Sequence, residues 1–432
     1  MNREALRLAV PNILSNVSVP LLSTVDTALM GHLGPAQLAA VGLASMLFNF
    51  LYWNFGFLRM GTTGITAQAY GARDADAQAR TLAQAAALAV ALAALLLAAQ
   101  GPLLRVGSAA LSTPAEAAPL VTRYFAIRIW AAPAALLLYV VNGWLFGQQN
   151  ARAPLALALL TNGVNIAASV YLVRYRGWAL EGVAWGTVLA QYVTLAAAVG
   201  LLRLRYRPLV ARIRVAWVGE WGAYRRLVRV NADIFLRTLC LTFAFGFFYA
   251  RSAAAGTLAL ASSTVLLQFL NWMSYAVDGF AYAAEALVGK YVGAGDPARV
   301  RRAIRLSMGY GFALAVAFAL AYGLLGEPIV ALFTDDAAVR AEAASLLGFL
   351  VALPLVGTAC YIWDGVFVGL TATRAMRDTM LISLGVYLGT YATALTAVAD
   401  PIAALWIALL AFLGARGLLQ TLWFARRGLA LG

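Results

Sequence analysis

Apolar runs of about 20 residues, broken by short stretches of glycine, proline and arginine, recur along the whole chain. A helix of that length crosses the ~30 Å of hydrocarbon in a bilayer. A soluble chain of 432 residues could not hide them, since 63% of its residues are hydrophobic and only 12% charged. A water-facing surface needs more polar cover than that. The sequence therefore predicts an all-α integral membrane protein.

Twelve spans are expected, at 8–31, 37–69, 79–104, 118–147, 154–174, 178–202, 227–250, 257–289, 303–326, 340–370, 378–399 and 401–424. Several are longer than a perpendicular crossing needs, which implies tilt or extension past the bilayer. The formal charge of +14 does not point to nucleic acid, because the arginines lie mostly between the spans. With the N-terminus cytoplasmic, 22 basic residues fall on the inner side and five on the outer. Positive charge concentrates on the cytoplasmic side of inner-membrane proteins, so both termini are expected inside. No cleavable signal is expected, because Met1–Arg7 runs straight into a full-length span.

The chain also repeats itself. Tyr139-Val-Val-Asn142-Gly143 with Gly147 is answered, at an offset of 222, by Tyr361-Ile-Trp-Asp364-Gly365 with Gly369. Gly71-Ala-Arg-Asp74 is answered at the same offset by Gly293-Ala-Gly-Asp296. Further upstream the offset is 219, where Phe50-Leu-Tyr-Trp53 matches Phe269-Leu-Asn-Trp272 and Asn12 matches Asn231. Six spans per half give both halves the same orientation, as parallel repeats about an axis along the membrane normal. Such pairs commonly enclose a central site and alternate its access. The expected division is an N-terminal lobe 1–204, a basic cytoplasmic linker 205–226 and a C-terminal lobe 227–432. Two repeats complete a cavity in one chain, so a monomer is expected.

Charges inside spans cost at least about 2.5–3.5 kcal/mol each on insertion scales and call for a reason. In the first half the clearest is Asp26, on the same span as Pro20, which removes a helical hydrogen bond and permits a bend. An acid shielded from water holds its proton more tightly and can carry it, whereas a purely structural acid would be capped by neighbours. Asn162, Asn165, Thr187 and Gln191 could bond such an acid or join helices to each other. In the second half Asp233 and Arg237 stand at i, i+4 on span seven, an arrangement that predicts mutual neutralisation. Asp278 and Glu285 share one face of span eight, with Lys290 a turn beyond, and Asp364 lies within span ten. These acids read either as a cation or substrate site or as an ion-pair network. Arg59, Arg128 and Arg416 are expected to snorkel or pair. Trp53, Trp144, Trp272 and Trp363 suit an apolar cavity or a membrane interface.

Cys240 and Cys360 sit in apolar runs as small hydrophobes, and His32 alone supplies no zinc or haem ligand set. With no phosphate loop, nucleotide fingerprint or nucleophile elbow, the driving force is an ion gradient and no enzyme is expected.

The chain resembles the multidrug and toxic compound extrusion (MATE) transporters, in their DNA-damage-inducible F branch. The resemblance runs through Val25-Asp26-Thr27-Ala-Leu-Met-Gly31-His-Leu-Gly34 and Asn142-Gly143-Trp-Leu-Phe-Gly147-Gln-Gln-Asn150-Ala-Arg152-Ala-Pro154. It continues in Asp278-Gly279-Phe-Ala-Tyr-Ala-Ala-Glu285 and Asp364-Gly365-Val-Phe-Val-Gly369. It implies two six-helix lobes in a V, exporting lipophilic, often cationic compounds in exchange for protons or sodium. It assigns proton coupling to Asp26, surrounded by Asn162, Asn165 and Thr187, and it matches Asp364 to a cation-linked acid of other branches. Where many relatives carry a second acid or Asn, this chain has Ser169, which weakens a two-acid relay and a sodium site there. The resulting expectation is a proton-driven exporter without cofactor. A sodium-coupled exporter using Asp233, Asp278, Glu285 or Asp364 is the nearest rival. A flippase for lipid-linked precursors and a membrane-embedded transferase follow at greater distance.

Overall fold

The computed structural model describes residues 1–31, 35–111 and 113–428; for 17–31, 35, 36, 221 and 223 it describes the backbone alone. Among the described residues every regular element is helical, and twelve helices are long. They are α1 (Asn2–Gly31), α2 (Gln37–Gly71), α3 (Ala75–Ala98), α4 (Ala118–Gly147), α5 (Arg152–Tyr175) and α6 (Ala179–Arg205). The second six are α7 (Trp221–Ala254), α8 (Thr257–Gly293), α9 (Pro297–Phe333), α10 (Leu347–Gly369), α11 (Thr373–Ala397) and α12 (Pro401–Arg427). Ten of these are long and apolar enough to cross a membrane. α8 has the length, but Gln268, Asn271, Asp278, Glu285 and Lys290 interrupt its apolar run.

The repeat is visible in local geometry. α6 and α12 are each 27 residues long, and both ends of one fall at the repeat positions of the other. The turns entering α3 and α9 are closed the same way. Arg73 (φ 56°) and Gly295 (φ 66°) occupy the left-handed region at equivalent positions. The next residue caps the helix in both, as Ala77 N–H donates to Asp74 Oδ1 (2.8 Å) and Arg299 N–H to Asp296 Oδ1 (2.9 Å). Gln149 and Thr371, also equivalent in the repeat, take positive φ in the turns after α4 and α10.

Helix contacts repeat as well. A Cβ on Gly143 would overlap the backbone carbonyl of Arg59, and one on Gly365, its counterpart in the second half, would overlap that of Ala281. These glycines let α4 lie against α2 and α10 against α8 at backbone distance, the close approach small residues provide in membranes.

The chain divides into two compact units, one of Leu14–Asn231 and one of Met1–Ile13 with Ala232–Gly432. This division departs from the expected 1–204, 205–226 and 227–432 in two places. The start of α1, as far as Ile13, belongs with the C-terminal half, where Gly279 of α8 leaves room for Ile13 and the carbonyl of Ala9. There Lys290 Nζ donates to Glu4 Oε1 (3.0 Å) and Tyr291 Oη to Glu4 Oε2 (3.0 Å). The basic segment is no free linker either. It docks on α3, where Trp217 is buried between Arg80 (5.1 Å) and Arg214 (5.7 Å) and its carbonyl accepts from Gln84 Nε2 (3.2 Å). Arg212 Nη1 reaches Asp76 Oδ1 on the same helix (2.9 Å). The start of α7, up to Asn231, packs in this unit, with Asn231 filling the space beside Gly61.

Candidate functional site

Each unit holds a buried polar cluster, and the two differ in chemistry. In the N-terminal unit α5 and α6 come together at Gly186, where any Cβ would overlap Ser169 Oγ. Fully buried Asn165 donates from Nδ2 to Thr187 Oγ1 (3.0 Å), and Thr187 donates in turn to the Val183 carbonyl (3.2 Å). Thr161 and Thr194 share a hydrogen bond of 2.9 Å across the same two helices. Asn162 is half-buried one turn earlier on α5. Asn165 Oδ1 and Ser169 Oγ are buried with no hydrogen-bond partner among the described residues. Asp26 and Pro20 lie on α1, but their side chains fall outside the described residues, as does all of His32.

In the C-terminal unit the polar cluster is ionic. Asp364 of α10 accepts from Arg416 Nη2 (2.7 Å) and Gln420 Nε2 (2.9 Å), both on α12, and from Arg237 Nη2 on α7. Arg416 and Gln420 are each 1% exposed, Asp364 6% and Arg237 8%. The expected Asp233–Arg237 neutralisation is therefore corrected. Arg237 turns to Asp364, while Asp233 accepts from Arg377 Nη1 (2.6 Å) and Thr373 Oγ1 (3.1 Å) at the start of α11. Pairs four apart on a helix meet over its surface, where water screens them. Inside a unit the stronger contacts run across helices, where a carboxylate can collect several donors.

Glu285 is buried on α8 and Asp278 is half-buried two turns away. Lys290, a turn beyond Glu285 as expected, pairs with Glu4. Arg416 cannot snorkel from full burial and pairs instead. Arg128 donates to Ser45 Oγ (3.1 Å) and Tyr124 Oη (3.0 Å), with the Phe48 ring 4.9 Å from its guanidinium carbon. Trp144 and Trp363 are buried structural residues, donating to the Gln78 carbonyl (2.9 Å) and Thr421 Oγ1 (2.7 Å). Trp53 and Trp272, equivalent in the repeat, are exposed.

Arg377, Thr373 and Gln420 were not evident from sequence. Gln420 had one signal, since it stands at i+4 from Arg416 and shares its helix face.

Outside the spans, burial alone would raise the Glu4 carboxyl, but hydrogen bonds from Lys290 and Tyr291 outweigh it and hold Glu4 below its ordinary value. Tyr291 is pushed up by burial and by its bond to Glu4.

Twelve long helices in two repeated units, each with polar side chains buried among membrane-spanning segments, define a membrane transport protein. The MatE family profile matches the chain twice, over residues 11–171 and 234–393, once in each repeat. The chain is 38% identical to DNA damage-inducible protein F of Escherichia coli K12, over 96% of its own length and 90% of that protein's. It is 29% identical to the probable multidrug resistance protein NorM of Bradyrhizobium diazoefficiens, over 88% of this chain and 82% of that one. A MATE crystal structure in the straight conformation matches with a TM-score of 0.90 at 20% identity, covering 100% of this chain and 96% of the other. The chain belongs to the MatE family of multidrug and toxic compound extrusion transporters.

Proposed function

We propose that this protein exports lipophilic, often cationic compounds in exchange for protons, with Asp26 carrying the proton. Family membership supports export, and the names of its relatives, multidrug resistance proteins among them, support the substrate class. The observation that bears most on coupling is the contrast between the clusters. Asp364 and Asp233 already accept from three arginines between them, so a sodium ion there would compete with fixed guanidiniums. In the N-terminal unit the neutral Asn165–Thr187 pair can bond a carboxyl group in either protonation state.

The test is transport of a fluorescent lipophilic cation in proteoliposomes under separately imposed proton and sodium gradients. Flux should follow the proton gradient and fall to background in Asp26→Asn, with folding intact. Flux driven by sodium alone would move coupling to Asp278 and Glu285, and a fully active mutant would remove Asp26 from the mechanism.

A further inference from the structure

One carboxylate, that of Asp364, serves two guanidiniums and an amide, and the cluster still has donors to spare. Arg416 keeps Nε and Nη1 without an acceptor, and Arg237 keeps Nε, all buried and unbonded among the described residues. A buried donor left unmet is costly, and more so on a charged group. Asp278, the next acid, lies within electrostatic reach of the neighbouring Cys360 and Tyr361, but the ion pair of Arg416 is with Asp364. Two aromatic rings also stand beside the free donors of Arg416. The guanidinium carbon of Arg416 stands 5.4 Å from the Phe412 ring centroid and 6.0 Å from that of Tyr361.

A guanidinium with open donors near aromatic rings matches an oxyanion attached to an apolar body. A cation arriving here would instead face two arginines around one shared carboxylate. We propose that Arg416, supported by Arg237, binds the oxyanion headgroup of a lipophilic acid, a long-chain carboxylate in the simplest case. The protein then handles amphipathic acids at the C-terminal unit as well as the cations assigned above. The transport purpose of this site rests on the exporter reading; its binding chemistry does not.

The experiment is equilibrium binding to the purified full-length protein in phosphatidylcholine nanodiscs, with no gradient present. The probes are a fluorescent long-chain carboxylic acid and its alcohol and amine counterparts. The acid should bind at least about tenfold tighter than the alcohol, the value of a charge-assisted hydrogen bond in a buried site. Arg416→Gln should erase that preference, and Arg416→Lys, which keeps the charge but loses the planar fork, should restore only part of it. Equal binding of acid and alcohol to wild type would mean that the spare donors hold only water, and would overturn the proposal. So would an undiminished preference in folded Arg416→Gln or, if that variant does not fold, in Arg416→Lys. The acid should hold its place when phosphatidylglycerol is added to the nanodisc; complete displacement would hand the site to a lipid headgroup and overturn the acid as occupant. Because binding is read without flux, a protein that prefers the acid yet moves no cation sinks the exporter reading alone, and cation efflux without acid preference sinks this one alone.

Discussion

Thr194 in α6 shares one hydrogen bond with Thr161, while its counterpart in the repeat, Arg416 in α12, grips a carboxylate already held by a second arginine. The two helices have the same length and begin at equivalent positions. A common backbone plan thus carries a neutral cluster in one unit and an ionic one in the other. Hydroxyls and amides can exchange partners at modest cost, because each is both donor and acceptor or carries no charge. A buried ion cluster has no such freedom, since removing one member strands the others. The difference separates a cluster of exchangeable hydroxyls and amides from one held together by charge.

The sharpest way to break this comparison is to remove Asp364. Asp364→Ala leaves Arg237 and Arg416 buried without their shared acceptor and should cost about 3–5 kcal/mol. Thr194→Ala, at the position equivalent to Arg416, should cost about 1 kcal/mol or less. Thermal unfolding in detergent reads both, followed by a thiol-reactive dye, because Cys240 and Cys360 are buried and free. Similar losses from the two would mean that the clusters are energetically alike.

A second pair of variants probes what the halves share. Gly143→Ala and Gly365→Ala each push a methyl group into a backbone carbonyl of the neighbouring helix. Each should lose about 1–3 kcal/mol in the same assay, and by similar amounts. A loss confined to one would show that the glycine contact serves only that unit.

The smallest effect concerns the charged contact outside the membrane. Hydrogen bonds from Lys290 and Tyr291 hold Glu4 below its ordinary value of 4.5 despite burial. A carboxyl lowered in this way stabilises the fold above its unfolded value, and that contribution disappears as pH falls through the lower folded value. The melting temperature of wild type should therefore decline slightly more steeply than that of Glu4→Gln as pH is taken below about 4.5. The effect is small because the Glu4 side chain is 42% exposed and solvent screens the pair. Parallel curves would show that this contact contributes nothing to stability.

Much of the architecture could be read from the chain, because span length and charge asymmetry follow from bilayer thickness and insertion. The repeat was legible for a related reason: glycines such as Gly143 and Gly365 mark close helix contacts that tolerate no substitute. Asp364 stood out as an acid in mid-span, but its partners did not. Arg237 and Arg416 lie 127 and 52 residues away, on helices whose rotation only packing decides. Sequence spacing favoured Asp233 for Arg237, since it reports neighbours on one helix and is silent about those on another. The docking of Trp217 on α3 was hidden because a stretch so rich in arginine reads as solvated loop.

Lys290 is the only lysine in the chain, and its amine lies 3.0 Å from a Glu4 carboxylate oxygen. Amine-directed chemistry therefore has a single side-chain address. A carbodiimide, which joins a contacting acid and amine without adding a spacer, would weld the start of α1 to the end of α8 by one amide bond. The weld closes a ring from Glu4 to Lys290 that runs through both units, so the treated polypeptide should migrate as a more compact species in denaturing gels. A salt bridge becomes a permanent topological tie, written into the protein by the scarcity of one amino acid.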